Sequence, residues 1–146
     1  MSQKYKLTSE IKQIKNMFTR EITTLYRIKA LKDFSDVKEG DLGGFIEKES
    51  NLSHDGNCWV YNEACVYNNA HVSDNATVCD YASVFDNAKI ESNSKVFDCA
   101  RIYDNAKITG YTYICDKVSV FGNSYIDTKK LNGHINICDQ TIKDSA

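Results

Sequence analysis

A branched aliphatic residue recurs at every sixth position from Val60 to Ile126, through Val66, Val72, Val78, Val84, Ile90, Val96, Ile102, Ile108, Ile114 and Val120. A second column, mostly of small residues, lies four places after each: Ala64, Ala70, Ala76, Ala82, Ala88, Ser94, Ala100, Ala106, Thr112, Val118 and Ser124. A period of six excludes an α-helical stripe, which needs spacings of three and four, and a long flat strand, which would alternate. It predicts short strands joined by corners, with the small and aliphatic side chains pointing to the same side. Asp and Asn fill the corners, as in Val72-Ser73-Asp74-Asn75-Ala76. Asn tolerates a left-handed backbone there, and Asp can bond to the amides that follow. Three units bring the chain back over its start, so the twelve units between 60 and 131 predict four coils of eighteen residues. At the usual strand spacing such a stack is about 19 Å tall.

The run of [Val/Ile]-x-x-Asn-Ala-x units resembles the hexapeptide-repeat proteins. That resemblance implies an all-β fold, a triangular left-handed parallel β-helix, and assembly of the kind common among those proteins, a homo-oligomer that is a trimer or a dimer. The segments from Leu25 to Phe34, Gly40 to Glu47 and Asn51 to His54 look like the lead-in of short phage and prophage members of the group. The resemblance therefore implies a phage protein acting in the host cytoplasm.

The chain divides into an N-terminal capping segment over 1–50, the β-helix over 51–131 and a C-terminal cap or tail over 132–146. Within the first segment Ile11, Ile14, Phe18, Ile22 and Leu25 fit a helical face, which predicts a short helix or irregular stretch near 8–20. Tyr26, Ile28 and Ala30 alternate with Arg27 and Lys29, predicting a strand over 23–32. Gly40, Gly43 and Gly44 read as tight turns. After Asn132-Gly133 breaks the frame, residues 134–143 read as one further strand. Proline is absent, so every backbone amide can enter a ladder.

A net charge of -2 gives no electrostatic reason to bind nucleic acid directly. The chain shows no basic-then-apolar leader and no apolar run long enough to span a bilayer, which predicts a cytoplasmic protein with no membrane partner. Six cysteines would suggest a disulfide framework in a secreted protein, but the repeat frame scatters them. Cys79 and Cys115 share a column two coils apart, roughly 9–10 Å, too far for a disulfide. Reduced thiols are therefore expected, and the absence of a Cys-x-x-Cys pair gives no zinc motif.

The outward residues are periodic too, so each face of the prism can be read. Face one carries Tyr67, Phe85, Arg101, Tyr103 and Phe121, an aromatic ladder with one charge. Four such rings offer roughly 600–1000 Å² of contact, comparable to one partner's share of an ordinary interface. Stacking also stabilises the sheet itself, but that does not explain why one face was chosen. Face three, with Trp59, Tyr61, Phe97 and Tyr113, is the second candidate surface, and face two, with His71, Lys89, Glu91 and Lys107, is a solvated one. The expectation is a non-catalytic module that self-associates and binds a protein partner in the host cell. Its most concrete form, by analogy with phage proteins, is an inhibitor of a bacterial defence system of the anti-CRISPR type.

The alternatives are a structural module of a phage particle and an acyltransferase using an acyl-coenzyme A donor, the best-known activity of the family resembled. Those enzymes use a histidine base, often beside a loop extruded from the coils. No loop interrupts 60–131, and His54 and His71 are the candidate bases. The γ-class carbonic anhydrases of the same fold need three histidines on zinc, which one solenoid histidine per chain does not supply. No phosphate-binding glycine loop of the Gly-x-x-x-x-Gly-Lys type is present, and no cofactor or metal is expected. The corner lines Asp80, Asp98, Asp116 and Asp86, Asp104 could hold a cation, but Asp is also simply a good corner residue.

Overall fold

The computed structural model describes residues 3–144; expectations for residues 1, 2, 145 and 146 lie outside it. The hexad period produces strands of two or three residues, separated by corners, that wind into three parallel sheets. Cys65–Val66 pairs with Ser83–Val84 eighteen residues on, and that strand with Arg101–Ile102. The same offset relates Trp59–Val60 to Thr77–Val78 and His71–Val72 to Lys89–Ile90. The three faces read from the sequence are these three sheets, and the protein is an all-β parallel solenoid.

Its interior is the two columns. Every aliphatic residue from Val60 to Ile126 has no exposed surface, and the column from Ala64 to Ser124 is buried throughout. Each such Val or Ile contributes about 1.5–3 kcal/mol by leaving water. Small residues are required opposite them because the prism is one side chain wide. All six cysteines are free, as the scattered columns predicted.

The corners work differently from the expectation. The first corner residue, not the asparagine after it, takes the left-handed backbone: Asn62, Asn68, Asp74, Asp80, Asp86, Asp98, Asp104 and Asp116 have φ between 55° and 59°. Their side chains do not bond locally either. The Asp80 carboxylate accepts the amide of Asp98 at 3.0 Å, Asp98 that of Asp116 at 3.0 Å, and Asp116 that of Gly133 at 2.8 Å. Asp86 and Asp104 do the same on the next edge, to Asp104 and Gly122. Corner amides point along the stack, so the acceptor has to come from the neighbouring coil.

The predicted helix near 8–20 is absent. Strands β1 (Tyr5–Lys15) and β2 (Ile22–Ala30) form an antiparallel hairpin, with a register shift between Leu7 and Ile11. It joins the edge of face one through β3 (Leu42–Ile46). The apolar residues that mimicked a helical face scatter: Leu25 is buried, whereas Ile11, Ile22 and Phe18 are exposed, Phe18 at 98%. Gly43 and Gly44 are strand residues of β3 rather than turns. A Cβ on Gly44 would sit 2.6 Å from the Ala64 carbonyl oxygen, so glycine is needed for close backbone approach.

The first coil is closed by Lys4 and Tyr5, both fully buried. Lys4 Nζ donates to the carbonyls of Cys58 at 2.7 Å and Gly56 at 3.2 Å, and lies 3.3 Å from Cys58 Sγ. Tyr5 Oη donates to the Leu52 carbonyl at 2.6 Å. These are among the acceptors that an open coil end leaves without partners. At the other end residues 134–143 form two strands, Asn136–Cys138 and Thr141–Lys143, with a corner at Asp139 of φ 55°. They pair with Ser119–Phe121 and Tyr125–Asp127, so the segment is a further coil rather than one strand. Ile137, within the strand Asn136–Cys138, is buried, whereas Ile135, just before it, is exposed.

Candidate functional site at the edge between faces one and two

The ladder on face one is continuous. Tyr67, Phe85, Tyr103 and Phe121 stack in near-parallel planes with centroids 5.1, 5.0 and 5.0 Å apart. This follows from the eighteen-residue register, which places like side chains about one strand spacing apart. The Arg101 guanidinium lies 5.3 Å from the Phe85 ring centre and 5.6 Å from that of Tyr103. The lower half of the ladder is not open, because Leu25, Phe45, Cys65 and Tyr67 form a buried cluster against which Ile14 and Phe85 pack. The hairpin therefore lies over face one. Burial under it pushes the Tyr67 hydroxyl up to about 12.

Face three is divided in the same way. Trp59 is buried against Tyr5 and Phe34, and Tyr61 donates to Asp36 at 2.7 Å, so only Phe97 and Tyr113 remain on the outside. Those two rings meet edge to face at 6.3 Å.

Between the hairpin tip and face one lies a cleft of about 490 Å³, lined by Met17, Phe18, Phe85, Arg101 and Tyr103 among others. Asn16, Asn68, Asp86 and Asp104 also line it, and the same four residues line an open groove along the adjoining edge that reaches Lys48 and Asn69. The two spaces share these walls, and His71, two residues after Asn69 in the chain, lines neither.

His71 is held by local structure. The buried Asn51 side chain accepts the amides of Glu47 and Lys48 and donates to the carbonyls of Asn68 and Ala70. This fixes the turn Glu49–Asn51, and the Ser50 carbonyl within it meets His71 Nδ1 at 2.6 Å. A carbonyl only accepts, so Nδ1 carries a proton, and in the neutral ring Nε2 keeps its lone pair. His54 is arranged oppositely. Its Nδ1 accepts the Lys4 amide at 3.1 Å, so in the neutral ring the proton is on Nε2. That atom is buried and without a hydrogen-bond partner, 3.6 Å from Glu49 Oε1. The His54 ring stacks on Tyr5 at 4.1 Å. Of the two candidate bases, only His71 has a free acceptor nitrogen. His134 is exposed at the far end of the stack.

For a metal, Asp98, Cys115 and Asp116 bring ligand atoms within 4.8 Å of one another. Both carboxylates already accept corner amides, which accounts for their position without an ion. Sequence reasoning missed the arm over face one and the Ser50 contact. That Asn16 lines the same cleft as Asn68, Asp86 and Asp104 could not be found from a local pattern, because it depends on where the hairpin folds.

No helix among the described residues is long and apolar enough to cross a membrane. No family model matches the chain. Over 48 residues it is 40% identical to a protein of Escherichia coli (strain K12) described as "Uncharacterized acetyltransferase YdcK"; the match covers 33% of this chain and 15% of that protein's length.

Proposed function

We propose that the protein is an acyltransferase module that moves an acyl group from a coenzyme A thioester to an amine or hydroxyl acceptor, with His71 as general base. The observation that carries this is the Nδ1 contact to the Ser50 carbonyl, which leaves Nε2 directed to receive a proton. The similarity to a protein described as an acetyltransferase supports the same class. His71 Nε2 takes the acceptor's proton as the nucleophile attacks the thioester carbonyl. The C–S bond breaks, and the imidazolium returns the proton to the leaving thiolate. The test is thiol release from acetyl-coenzyme A in the presence of an acceptor mixture. His71→Ala should lower the rate by about 10²–10⁴-fold in a variant that still folds. His54→Ala should instead lower the melting temperature, because it removes the ring stacked on Tyr5. No turnover, and no stabilisation by coenzyme A, would overturn the proposal.

A second reading is favoured by the open upper half of the ladder. Tyr103 and Phe121 remain partly exposed, and Met17 and Phe18 are 83% and 98% exposed, apolar surface suited to a second copy of the chain. Among the described residues no surface feature selects a bacterial defence complex as that partner. Light scattering on the parent and on Tyr103→Asp decides it: an associated parent and a dissociated, folded variant support the reading, and a monomeric parent removes it.

A further inference from the structure

We infer that the tip of the hairpin arm, residues 15–20, is a docking site for an anionic lipid surface, with Met17 and Phe18 entering the interfacial layer and Lys15 and Arg20 meeting the headgroups. The inference does not rest on the acyl-transfer reading. Met17 is 83% and Phe18 98% exposed, side by side at the apex that joins β1 to β2, and Ile22 at the start of β2 is 60% exposed. The turn that carries them is well built. Asn16 Oδ1 accepts the amides of Phe18 at 2.8 Å and Thr19 at 3.1 Å, its own amide donates to the Glu21 carbonyl at 2.9 Å, and its carbonyl accepts the Arg20 amide at 2.8 Å. That geometry is set by the asparagine and asks nothing of the side chains at positions 17 and 18. Two large apolar groups are therefore held in water where a polar pair would serve the fold as well.

Cations flank the apolar pair. Residues 12–20 carry Lys12, Lys15 and Arg20 and no acid, in a chain whose net charge is -2. Lys12 is committed to the solenoid, over the Phe45 ring and 3.5 Å from the Glu63 carbonyl. Lys15 and Arg20 are exposed, and among the described residues neither forms an ion pair. Arg20 stands at φ 64°, a backbone that favours Gly or Asn, so the turn alone does not account for its choice. Apolar side chains set between lysine and arginine match a negatively charged bilayer surface, which takes the first into its interfacial layer and attracts the second.

The acids nearest the tip are Glu21, Asp86 and Asp104, which line the cleft between it and face one. They oppose entry of an anionic surface into the cleft and confine the contact to the apex. A protein partner is less well matched, because two side chains on a narrow turn supply far less than the roughly 800 Å² that one side of an ordinary interface contributes. A bilayer asks for no shape complementarity, only apolar groups and cations at one depth. The expectation of no membrane partner rested on the lack of a spanning run, and a tip that lies in the interface needs none.

The experiment mixes the full chain with vesicles of phosphatidylcholine alone and of phosphatidylcholine with phosphatidylglycerol, and measures binding by flotation. Phe18→Trp supplies a local probe, since the chain's one tryptophan, Trp59, is buried. The inference expects binding to the mixed vesicles only, weakening as salt is added, with a blue shift of the Phe18→Trp emission. Phe18→Ser should bind about 10-fold more weakly, and Lys15→Gln with Arg20→Gln about 30-fold, both at the parent's melting temperature. No binding of the parent to mixed vesicles, equal binding to neutral ones, or binding that either change leaves intact overturns the inference. So does light scattering without lipid that shows an associated parent and a monomeric Phe18→Ser, since the tip then belongs to a contact between copies. Acyl transfer measured without vesicles is untouched by any of these outcomes.

Discussion

Asp98 carries two separable contributions to stability. Its backbone sits at φ 57°, and its Oδ2 accepts the Asp116 amide of the next coil at 3.0 Å. For an ordinary residue the left-handed backbone costs about 1 kcal/mol, a cost that Asn and Asp offset locally and Gly escapes. A hydrogen bond to a charged acceptor in a partly exposed place contributes about 1.5 kcal/mol. Asp98→Ala loses both, about 2.5 kcal/mol. Asp98→Gly loses the acceptor but not the backbone fit, about 2–2.5 kcal/mol once its larger unfolded-state entropy is added. Asp98→Asn keeps the acceptor and the backbone tolerance and stays within about 1 kcal/mol of the parent. In a chain of 146 residues one kcal/mol moves the melting midpoint by about 2–4 °C. Calorimetric melting should therefore place Asn nearest the parent, with Gly and Ala both about 7 °C below it. Equal midpoints for Ala and Asn would refute the role of the ladder between coils.

Val84→Asp should unfold the middle coils by placing an unpaired carboxylate in a dry interior, while Lys89→Asp, on the exposed side of face two, leaves the urea midpoint nearly unchanged. Gly44→Ala should destabilise by about 1–3 kcal/mol in denaturant titration, because its methyl meets the Ala64 carbonyl and Val60 at 2.6 Å. Tyr67 is held protonated by burial to about 12, against about 10 in the unfolded chain. The associated stability is complete below pH 10 and is lost as pH rises toward 12, so alkaline melting should lessen in Tyr67→Phe and the 295 nm titration should show Tyr67 ionising late. Lys4→Met should cost about 1–3 kcal/mol in urea unfolding, since it leaves the Gly56 and Cys58 carbonyls without their donor.

The solenoid was legible because each hexad repeats one local decision: a buried Val or Ile, a corner, a small residue. The direction of the corner carboxylates was not, since the Asp80 to Asp98 bond joins residues eighteen apart and nothing local distinguishes it from an ordinary turn. The second strand of the hairpin was read, over 23–32, but the first was missed because Ile11, Ile14, Phe18, Ile22 and Leu25 fall at helical spacing. What decided the structure was the unpaired edge of β3, which β2 satisfies. At the candidate site the histidines were visible but their difference was not. His71 and His54 differ through Ser50 and Lys4, a carbonyl on one and an amide on the other, and only the folded chain brings these together.

The eighteen-residue coil built from three equivalent hexads makes length and orientation independent variables. An insertion of eighteen residues adds a storey and returns every later side chain to its own face. An insertion of six is equally acceptable to the core, because Val or Ile still meets Val or Ile, yet it turns all that follows by one third of a revolution. The rings of Tyr103 and Phe121 would then stand on a neighbouring wall, away from the arm. A gene for such a chain can redistribute its surface by duplicating one short unit, with the interior indifferent to the change.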